Sequence, residues 1–93
     1  MQWSVGQLVT SKQGRDCGRR YVIIQTEAKC CYVADGRKFT AASPKKKNYK
    51  HLQGTLNRSP EIAAAVAAAK LPRDEELRQF LNNHWPEDGI KEE

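Results

Sequence analysis

The sequence contains no hydrophobic run long enough to cross a membrane. Its longest apolar stretch, residues 62–69, is mostly alanine, whereas a membrane-spanning helix needs about 20 predominantly apolar residues. The segment Met1–Ser4 also lacks the basic residues and apolar core that mark a secretory signal. We therefore expect a cytoplasmic protein that has no membrane partner.

Cysteine and histidine are scarce. Three cysteines are an odd number in a chain without an export signal, which predicts reduced thiols rather than a disulfide framework. Cys30 and Cys31 are adjacent, so in a strand we expect one to pack inward and the other to meet solvent. Neither His51 nor His84 is spaced from a cysteine as in common zinc sites. The sequence therefore predicts no metal and no cofactor.

A catalytic motif is also lacking. No serine, cysteine or histidine lies in a pattern typical of a nucleophile and its base. Gly14 and Gly18 do not belong to a P-loop, because the Gly-Lys-Ser/Thr half is absent and the segment leads into a strand rather than a helix. We therefore expect that the protein is not an enzyme.

Acidic residues are rare in the first part of the chain. Residues 1–58 contain twelve Lys and Arg against three Asp and Glu, whereas residues 59–93 contain four against eight, and the formal net charge is +5. So strong a positive charge in one part of a small protein is typical of nucleic-acid binding. The alternative is a solvated surface that only keeps the protein in solution.

The chain is organised around residues 5–25, where two apolar runs flank a basic loop. Gly14 and Gly18 bracket this loop, and glycine allows the positive φ that a tight connection needs. The run Tyr21–Ile24 is β-branched and aromatic, which favours a strand. This segment therefore predicts a β-hairpin with a basic tip.

Strand and turn signals predict a mainly β fold over residues 1–56. Asp35-Gly36 favours a two-residue hairpin turn, and Pro44 separates the strand before it from an exposed loop of lysines after it. Five short strands at this spacing are typical of a small antiparallel barrel. We place the first four at about residues 6–12, 20–26, 30–34 and 37–41, and a final strand or single turn around residues 51–53.

Residues 57–93 predict a C-terminal α-helical hairpin. The sequence Ser-Pro-Glu at 59–61 supplies a cap, a proline at the first helical position and an acid in the first turn, so a helix runs from there to about Lys70. We expect a second helix over about residues 73–84. Its apolar side chains form one stripe, which consists of Leu77, Phe80, Leu81 and Trp85.

The basic loop and its flanking segments resemble the KOW motif. The resemblance lies in Gly6, in the loop Gly14-Arg15-Asp16-Cys17-Gly18-Arg19 and in the strand Tyr21–Ile24. The runs Asp35-Gly36-Arg37-Lys38 and Pro44-Lys45-Lys46-Lys47-Asn48-Tyr49-Lys50-His51-Leu52 are similar to bacterial KOW proteins related to large-subunit ribosomal protein fourteen of archaea and eukaryotes. The likeness covers roughly residues 4–56. It implies a small SH3-like five-stranded barrel that binds RNA, in particular ribosomal RNA, and an association with the ribosome.

The residues predicted to bind RNA are the cations and neighbouring aromatic side chains of this basic part. Arginine binds phosphate bidentately and lysine adds mobile point charge, so the arginines would position RNA and the lysines would add affinity. Tyr49 and His51 are candidates for stacking on unpaired bases, and a core or edge position is equally consistent for Tyr49. The full set is Lys12, Arg15, Arg19, Arg20, Arg37, Lys38, Lys45, Lys46, Lys47, Tyr49, Lys50 and His51, with Gly14 and Gly18 supplying the loop geometry.

Two other functions fit the sequence. A protein-interaction module would bind a polypeptide through the barrel or through the stripe on the second helix, although such a stripe more often packs on the first helix or the barrel. A DNA-binding barrel is the other alternative, because phosphate charge alone does not separate DNA from RNA. The family resemblance favours RNA.

Overall fold

The computed structural model describes residues 3–15 and 17–84, which form a five-stranded antiparallel sheet and two helices. The strands are β1 Gln7–Ser11, β2 Arg20–Thr26, β3 Cys30–Ala34, β4 Lys45–Asn48 and β5 Leu52–Arg58. A 3-10 turn at Tyr49–His51 joins β4 to β5, and the helices are α1 Pro60–Ala67 and α2 Asp74–His84. The predicted mainly β class with C-terminal helices is confirmed. Neither of the two helices in the described residues has the length and apolar character needed to span a membrane.

The strands lie in the order β4-β3-β2-β1-β5, and each pairs antiparallel with its neighbours. Val22 in the central strand pairs with Leu8 on one side and with Ala34 on the other, so these three side chains share one face of the sheet. The register shifts once in β1 and once in β2. Such irregularities bend a sheet and increase its twist.

The central strand β2 is buried on both faces. Tyr21, Val22, Ile23 and Ile24 are all buried, although alternate side chains of a strand point to opposite sides. Two core clusters result. The first core cluster includes side chains of both helices and consists of Leu8, Val22, Ile24, Ala34, Ala41, Ile62, Leu77 and Leu81. The second core cluster consists of Val9, Tyr21, Ile23, Cys31, Val33 and Leu52, with Trp3, Phe39 and Tyr49 packed against it.

The adjacent cysteines of β3 differ in burial, as the strand alternation predicts. Cys31 is buried in the second core cluster and Cys30 is partly exposed. Burial raises the pKa of the Cys31 thiol to about 12. This thiol is therefore neutral at physiological pH and behaves as a small apolar core residue. None of the three cysteines is in a disulfide.

The fourth strand does not lie where the sequence predicts it. Residues 37–41 form a loop, because backbone N–H groups of this segment donate to side-chain carboxylates and not to a neighbouring strand; that of Ala41 donates to Asp74 of α2. The carboxylate of Asp35 accepts hydrogen bonds from the N–H groups of Arg37 and Phe39 at 2.9 and 3.1 Å. The carbonyl of Phe39 accepts from the N–H groups of Asp35 and Gly36, which closes a wider turn than the predicted two-residue one. Both the predicted strand and the predicted turn type are wrong.

The lysine run forms strand β4 rather than the exposed loop that the sequence predicts. Lys45 pairs with Val33 and Lys47 pairs with Cys31 of the neighbouring strand. Lysine has a low intrinsic preference for strands. However, β4 ends the strand order next to β3, and charged side chains are common on edge strands because they discourage further pairing.

Helix α1 begins where the sequence predicts. The hydroxyl of Ser59 accepts a hydrogen bond from the N–H of Ile62 at 3.2 Å and caps the helix. The helix ends at Ala67 rather than near Lys70, because Ala69 has φ 60°. A residue in this left-handed conformation does not continue a right-handed helix.

The helices and the sheet share one core. The predicted division between residues 1–56 and 57–93 falls inside β5, which continues to Arg58. Ile62 of α1 and Leu77 of α2 are buried against the sheet in the first core cluster. The helical part therefore covers one face of the sheet and is not a separate unit.

Gly6 lies where helix α1 meets the sheet, and the packing there depends on its missing side chain. It has φ 88°, and a Cβ at this position would lie 2.7 Å from the carbonyl oxygen of Ser59 and 3.3 Å from the Cβ of Ala63. Gly18 has nearly the same φ, 91°, but a Cβ there would have no atom within 4 Å. The two glycines thus share a backbone conformation and differ in their surroundings.

We expect Gly6→Ala to lower the free energy of unfolding by about 2–4 kcal/mol, because it combines a positive-φ penalty with overpacking against α1. The matched control Gly18→Ala carries only the positive-φ penalty of about 1–2 kcal/mol. Urea unfolding followed by circular dichroism measures both values. Equal losses for the two variants would contradict close packing of α1 at Gly6.

Candidate nucleic-acid interface

Three segments of the chain converge on a cleft that contains five of the predicted cations. We call it the basic cleft; its volume is about 490 Å³. The glycine loop between β1 and β2, the loop after β3 and strand β4 all contribute to it. Its lining residues are Gly14, Arg15, Arg19, Tyr21, Lys38, Phe39, Lys45 and Lys47. All the charged residues in this described lining are cations, and a cleft lined by charges of one sign favours ligands of the opposite sign.

The glycine loop is held in shape by its backbone. Gly14 and Gly18 have φ of 88° and 91°, which residues with a side chain rarely adopt. The N–H of Gly18 donates to the carbonyl of Ser11 at 2.8 Å, and the N–H of Ser11 donates to the carbonyl of Arg19 at 2.9 Å. These bonds fix the base of the loop, so Arg15 and Arg19 are placed at the cleft by backbone geometry.

Strand alternation divides the lysine run between two sides. Lys45 and Lys47 line the basic cleft, whereas Lys46 between them is exposed and does not line it. Lys47 retains only 8% of its exposure, and its cross-strand partner Cys31 lies in the second core cluster. The three lysines therefore do not act as one uniform basic loop.

Two aromatic rings lie at the cleft: Tyr21, a member of the second core cluster, and Phe39, which packs against that cluster. The rings of Tyr21 and Phe39 are 6.1 Å apart between centroids and tilted by 57°. The ammonium groups of Lys38 and Lys45 lie 5.7 and 5.1 Å from the centroid of the Phe39 ring, within the range of a cation–π interaction. Phe39 therefore holds both lysines at the cleft. The sequence analysis missed both rings, although an aromatic residue beside a basic run was an available signal.

A second basic pocket, which we call the arginine pocket, lies between the sheet and α2. Its volume is about 230 Å³. Its lining residues are Arg19, Arg20, Asp35, Arg37, Arg78, Leu81 and Asn82. Arg19 lines both this pocket and the basic cleft. Arg78 was not among the predicted site residues, because nothing local in the sequence connects α2 to the basic half.

The remaining predicted residues line neither of these two sites. Lys12 and His51 lie together at the ends of β1 and the 3-10 turn, where the N–H of Lys12 donates to the carbonyl of His51 at 2.8 Å. Lys50 lines a shallow depression with Lys29, Asn48 and Tyr49. The other predicted RNA-binding residues thus line the basic cleft or the arginine pocket. Those that lie outside both sites are Lys12, Lys46, Tyr49, Lys50 and His51.

Tyr49 is packed rather than presented to solvent as a stacking platform. Its ring stacks on that of Trp3, with centroids 4.8 Å apart and an interplanar angle of 17°. Its hydroxyl donates a hydrogen bond to the carbonyl of Glu27 at 2.8 Å. Burial, with a smaller effect from the neighbouring Cys31, raises the pKa of Tyr49. Of the two roles considered for this residue, the geometry supports the packing role.

The apolar stripe of α2 lies largely in the core. Leu77 and Leu81 are buried in the first core cluster, and Phe80 packs against it. The Phe80 ring also contacts the ring of His84, with centroids 4.5 Å apart. Trp85, the last member of the predicted stripe, lies outside the described residues. The described part of the stripe offers little apolar surface to a partner.

The described residues contain no cluster of potential metal ligands. Within residues 3–15 and 17–84, no group of three or more His, Cys, Asp and Glu side chains is placed to hold a metal ion. Cys17 in the glycine loop instead donates a hydrogen bond to the carbonyl of Lys12 at 3.2 Å.

No protein-family model matches the chain, and no curated protein matches it.

We expect Leu77→Ala to lower the free energy of unfolding by about 2–4 kcal/mol, because it leaves a cavity in the first core cluster. The matched control is Leu71→Ala, which removes the same atoms from a side chain that is 60% exposed and should change stability by less than about 0.5 kcal/mol. Thermal and urea unfolding measure both. A small loss for Leu77→Ala would mean that the stripe is an uncovered surface.

Proposed function

We propose that this protein is a non-enzymatic RNA-binding module, associated with the ribosome, that contacts the phosphates of structured RNA through the basic cleft. The observation that carries the proposal is the convergence of five cations from three separate segments on one cleft. Placing like charges close together costs free energy, and the binding of an anion reduces that cost. A surface designed only to keep the protein in solution would disperse its charges instead.

The cleft combines the two kinds of cation that phosphate binding uses. Arg15 and Arg19 have planar guanidinium groups that bind a phosphate through two hydrogen bonds and fix its position. Lys38 and Lys45 add positive charge next to them, which raises affinity without reading the base sequence. Because the Phe39 ring already interacts with these two ammonium groups, we assign it the role of positioning them rather than of stacking on a base.

We propose further that the sheet is an SH3-like barrel of the KOW type. Three features support this. The five strands follow each other antiparallel with β1 between β2 and β5, a single 3-10 turn joins β4 to β5, and one face of the bent sheet encloses the second core cluster. The resemblance of residues 4–56 to KOW sequences is the basis for choosing RNA over DNA, and ribosomal RNA in particular.

The alternative of a protein-interaction module receives less support. The helical stripe that would form its surface is occupied by packing, since Leu77 and Leu81 are buried. The basic cleft, in contrast, has a chemistry suited to phosphate. A polypeptide partner of the cleft would have to be acidic, and its binding would survive treatment with nuclease.

We expect Lys45→Ala to weaken binding to a hairpin RNA and to reduce the slope of log affinity against log salt by about 0.7–0.9, the value for one phosphate contact. Lys46→Ala is the matched control, because it removes the same charge from the neighbouring position outside the cleft. The slope should remain unchanged in this control. Fluorescence anisotropy over a range of salt concentrations measures both.

Equal effects of Lys45→Ala and Lys46→Ala would mean that RNA responds to net charge and not to the basic cleft. Competition with duplex DNA of the same length tests the choice of nucleic acid, and we expect DNA to compete weakly. Cosedimentation with ribosomes at low salt tests the association with the ribosome. Absence of the protein from both ribosomes and RNA crosslinks would overturn the proposed function.

A further inference from the structure

The arginine pocket brings together cations that are far apart in the sequence. Arg19 and Arg20 come from the start of β2, Arg37 comes from the loop after β3, and Arg78 comes from α2. One acidic residue, Asp35, also lines the pocket. The described lining thus contains four guanidinium groups and one carboxylate, and a pocket lined mainly by cations favours an anion.

The carboxylate of Asp35 is already engaged in the turn after β3. One of its oxygens accepts hydrogen bonds from the backbone N–H groups of Arg37 and Phe39. This carboxylate therefore stabilises the loop that carries Arg37. The presence of Asp35 at the pocket is thus explained by its role in the turn.

Arg78 is held at the wall of the pocket by a contact with the sheet. Its guanidinium group donates a hydrogen bond to the carbonyl of Gly36 at 2.6 Å. That bond uses one of the five N–H donors of the group and fixes its position. The close approach depends on Gly36, because a Cβ there would collide with the carbonyl oxygen of Asp74.

The arginine pocket adjoins the basic cleft through a shared residue. Arg19 lines both. The cleft borders the second core cluster through Tyr21, and the pocket borders the first through Leu81. The two sites therefore lie on opposite faces of the sheet and meet where β2 begins. A polyanion that follows the positive charge would pass from the cleft over Arg19 to the pocket.

We propose that the arginine pocket binds a backbone phosphate of the RNA that occupies the basic cleft, which makes Arg78 of α2 an RNA-binding residue. This inference rests on the proposed function and extends it from the sheet to the helices. Planar guanidinium groups suit phosphate because each can donate two parallel hydrogen bonds. The helices thus complete the interface in addition to covering the core.

The first experiment observes the pocket without RNA. The ¹⁵N-labelled protein is titrated with inorganic phosphate at constant ionic strength, and the Nε–H signals of the arginine side chains are followed by NMR. We expect the signals of Arg37 and Arg78 to shift together and to saturate at a common phosphate concentration. Arg73, which directly precedes α2, lies outside the pocket and should not saturate with them. Equal responses of Arg73 and Arg78 would overturn the pocket as a phosphate site.

The second experiment measures RNA binding by charge variants. We expect Arg78→Gln to reduce affinity for a hairpin RNA about tenfold, the value for one lost charge-assisted contact, and to lower the salt slope by about 0.7–0.9. Arg73→Gln is the control, because it removes the same charge from the residue directly before α2, outside the pocket. Arg78→Gln also removes the contact with Gly36 and could therefore disturb the packing of α2. Arg37→Gln serves as a second variant, because Arg37 lies on another segment of the pocket and its side chain is exposed. Thermal unfolding verifies that each variant is folded at the assay temperature.

The outcomes separate this inference from the proposed function. If the wild-type protein binds RNA and both pocket variants bind it as tightly as Arg73→Gln, the role of the pocket is overturned and the cleft remains. If the wild-type protein binds no RNA, the proposed function fails, and the assignment of the pocket to RNA fails with it even where inorganic phosphate saturates the pocket. Reduced affinity of both pocket variants, with Arg73→Gln unaffected, supports the inference.

Discussion

Burial of β2 on both faces is the constraint on which the rest of the structure depends. Tyr21, Val22, Ile23 and Ile24 are consecutive and all buried, and each such side chain contributes about 1.5–3 kcal/mol when it leaves water. No single layer can cover both sides of a strand. The helices cover Val22 and Ile24, while the bend of the sheet and the aromatic residues around it cover Tyr21 and Ile23. The helical segment is therefore part of the fold.

Close packing of the helices on the sheet depends on two glycines. Gly6 and Gly36 both have positive φ and lie directly against α1 and α2, where a Cβ would meet backbone atoms. At the second contact, the carboxylate of Asp74 accepts a hydrogen bond from the N–H of Ala41, and Arg78 donates to Gly36. These polar contacts hold the loop after β3 to α2. The same loop carries Lys38 and Phe39 to the basic cleft, so helix docking and the shape of the cleft are physically linked.

The basic cleft and the arginine pocket meet at the start of β2, where Arg19 lines both sites. Arg19 and Arg20 directly precede its buried run, and burial of that run fixes where these arginines lie. No acidic side chain of the helices is among the described lining residues of the cleft. In α2 the acids lie in the first turn, at Asp74, Glu75 and Glu76, where they interact favourably with the helix dipole. The charge asymmetry of the sequence is thereby kept in the fold.

The sequence by itself determined the local features of this protein: the turn-forming glycines Gly14 and Gly18, the strand β2, the cap at Ser59 and the basic first half. Four consecutive buried side chains in β2 were also visible as an apolar run without alternation, which indicates a strand covered on both faces. Only the tertiary structure decided that Lys45–Asn48 is a strand and that residues 37–41 are not. A weak strand former becomes a strand when a neighbouring edge offers hydrogen bonds, and that edge is β3. The contact of Arg78 with Gly36 joins residues 42 positions apart, so no local pattern could reveal it; it exists because the first core cluster brings α2 onto the sheet.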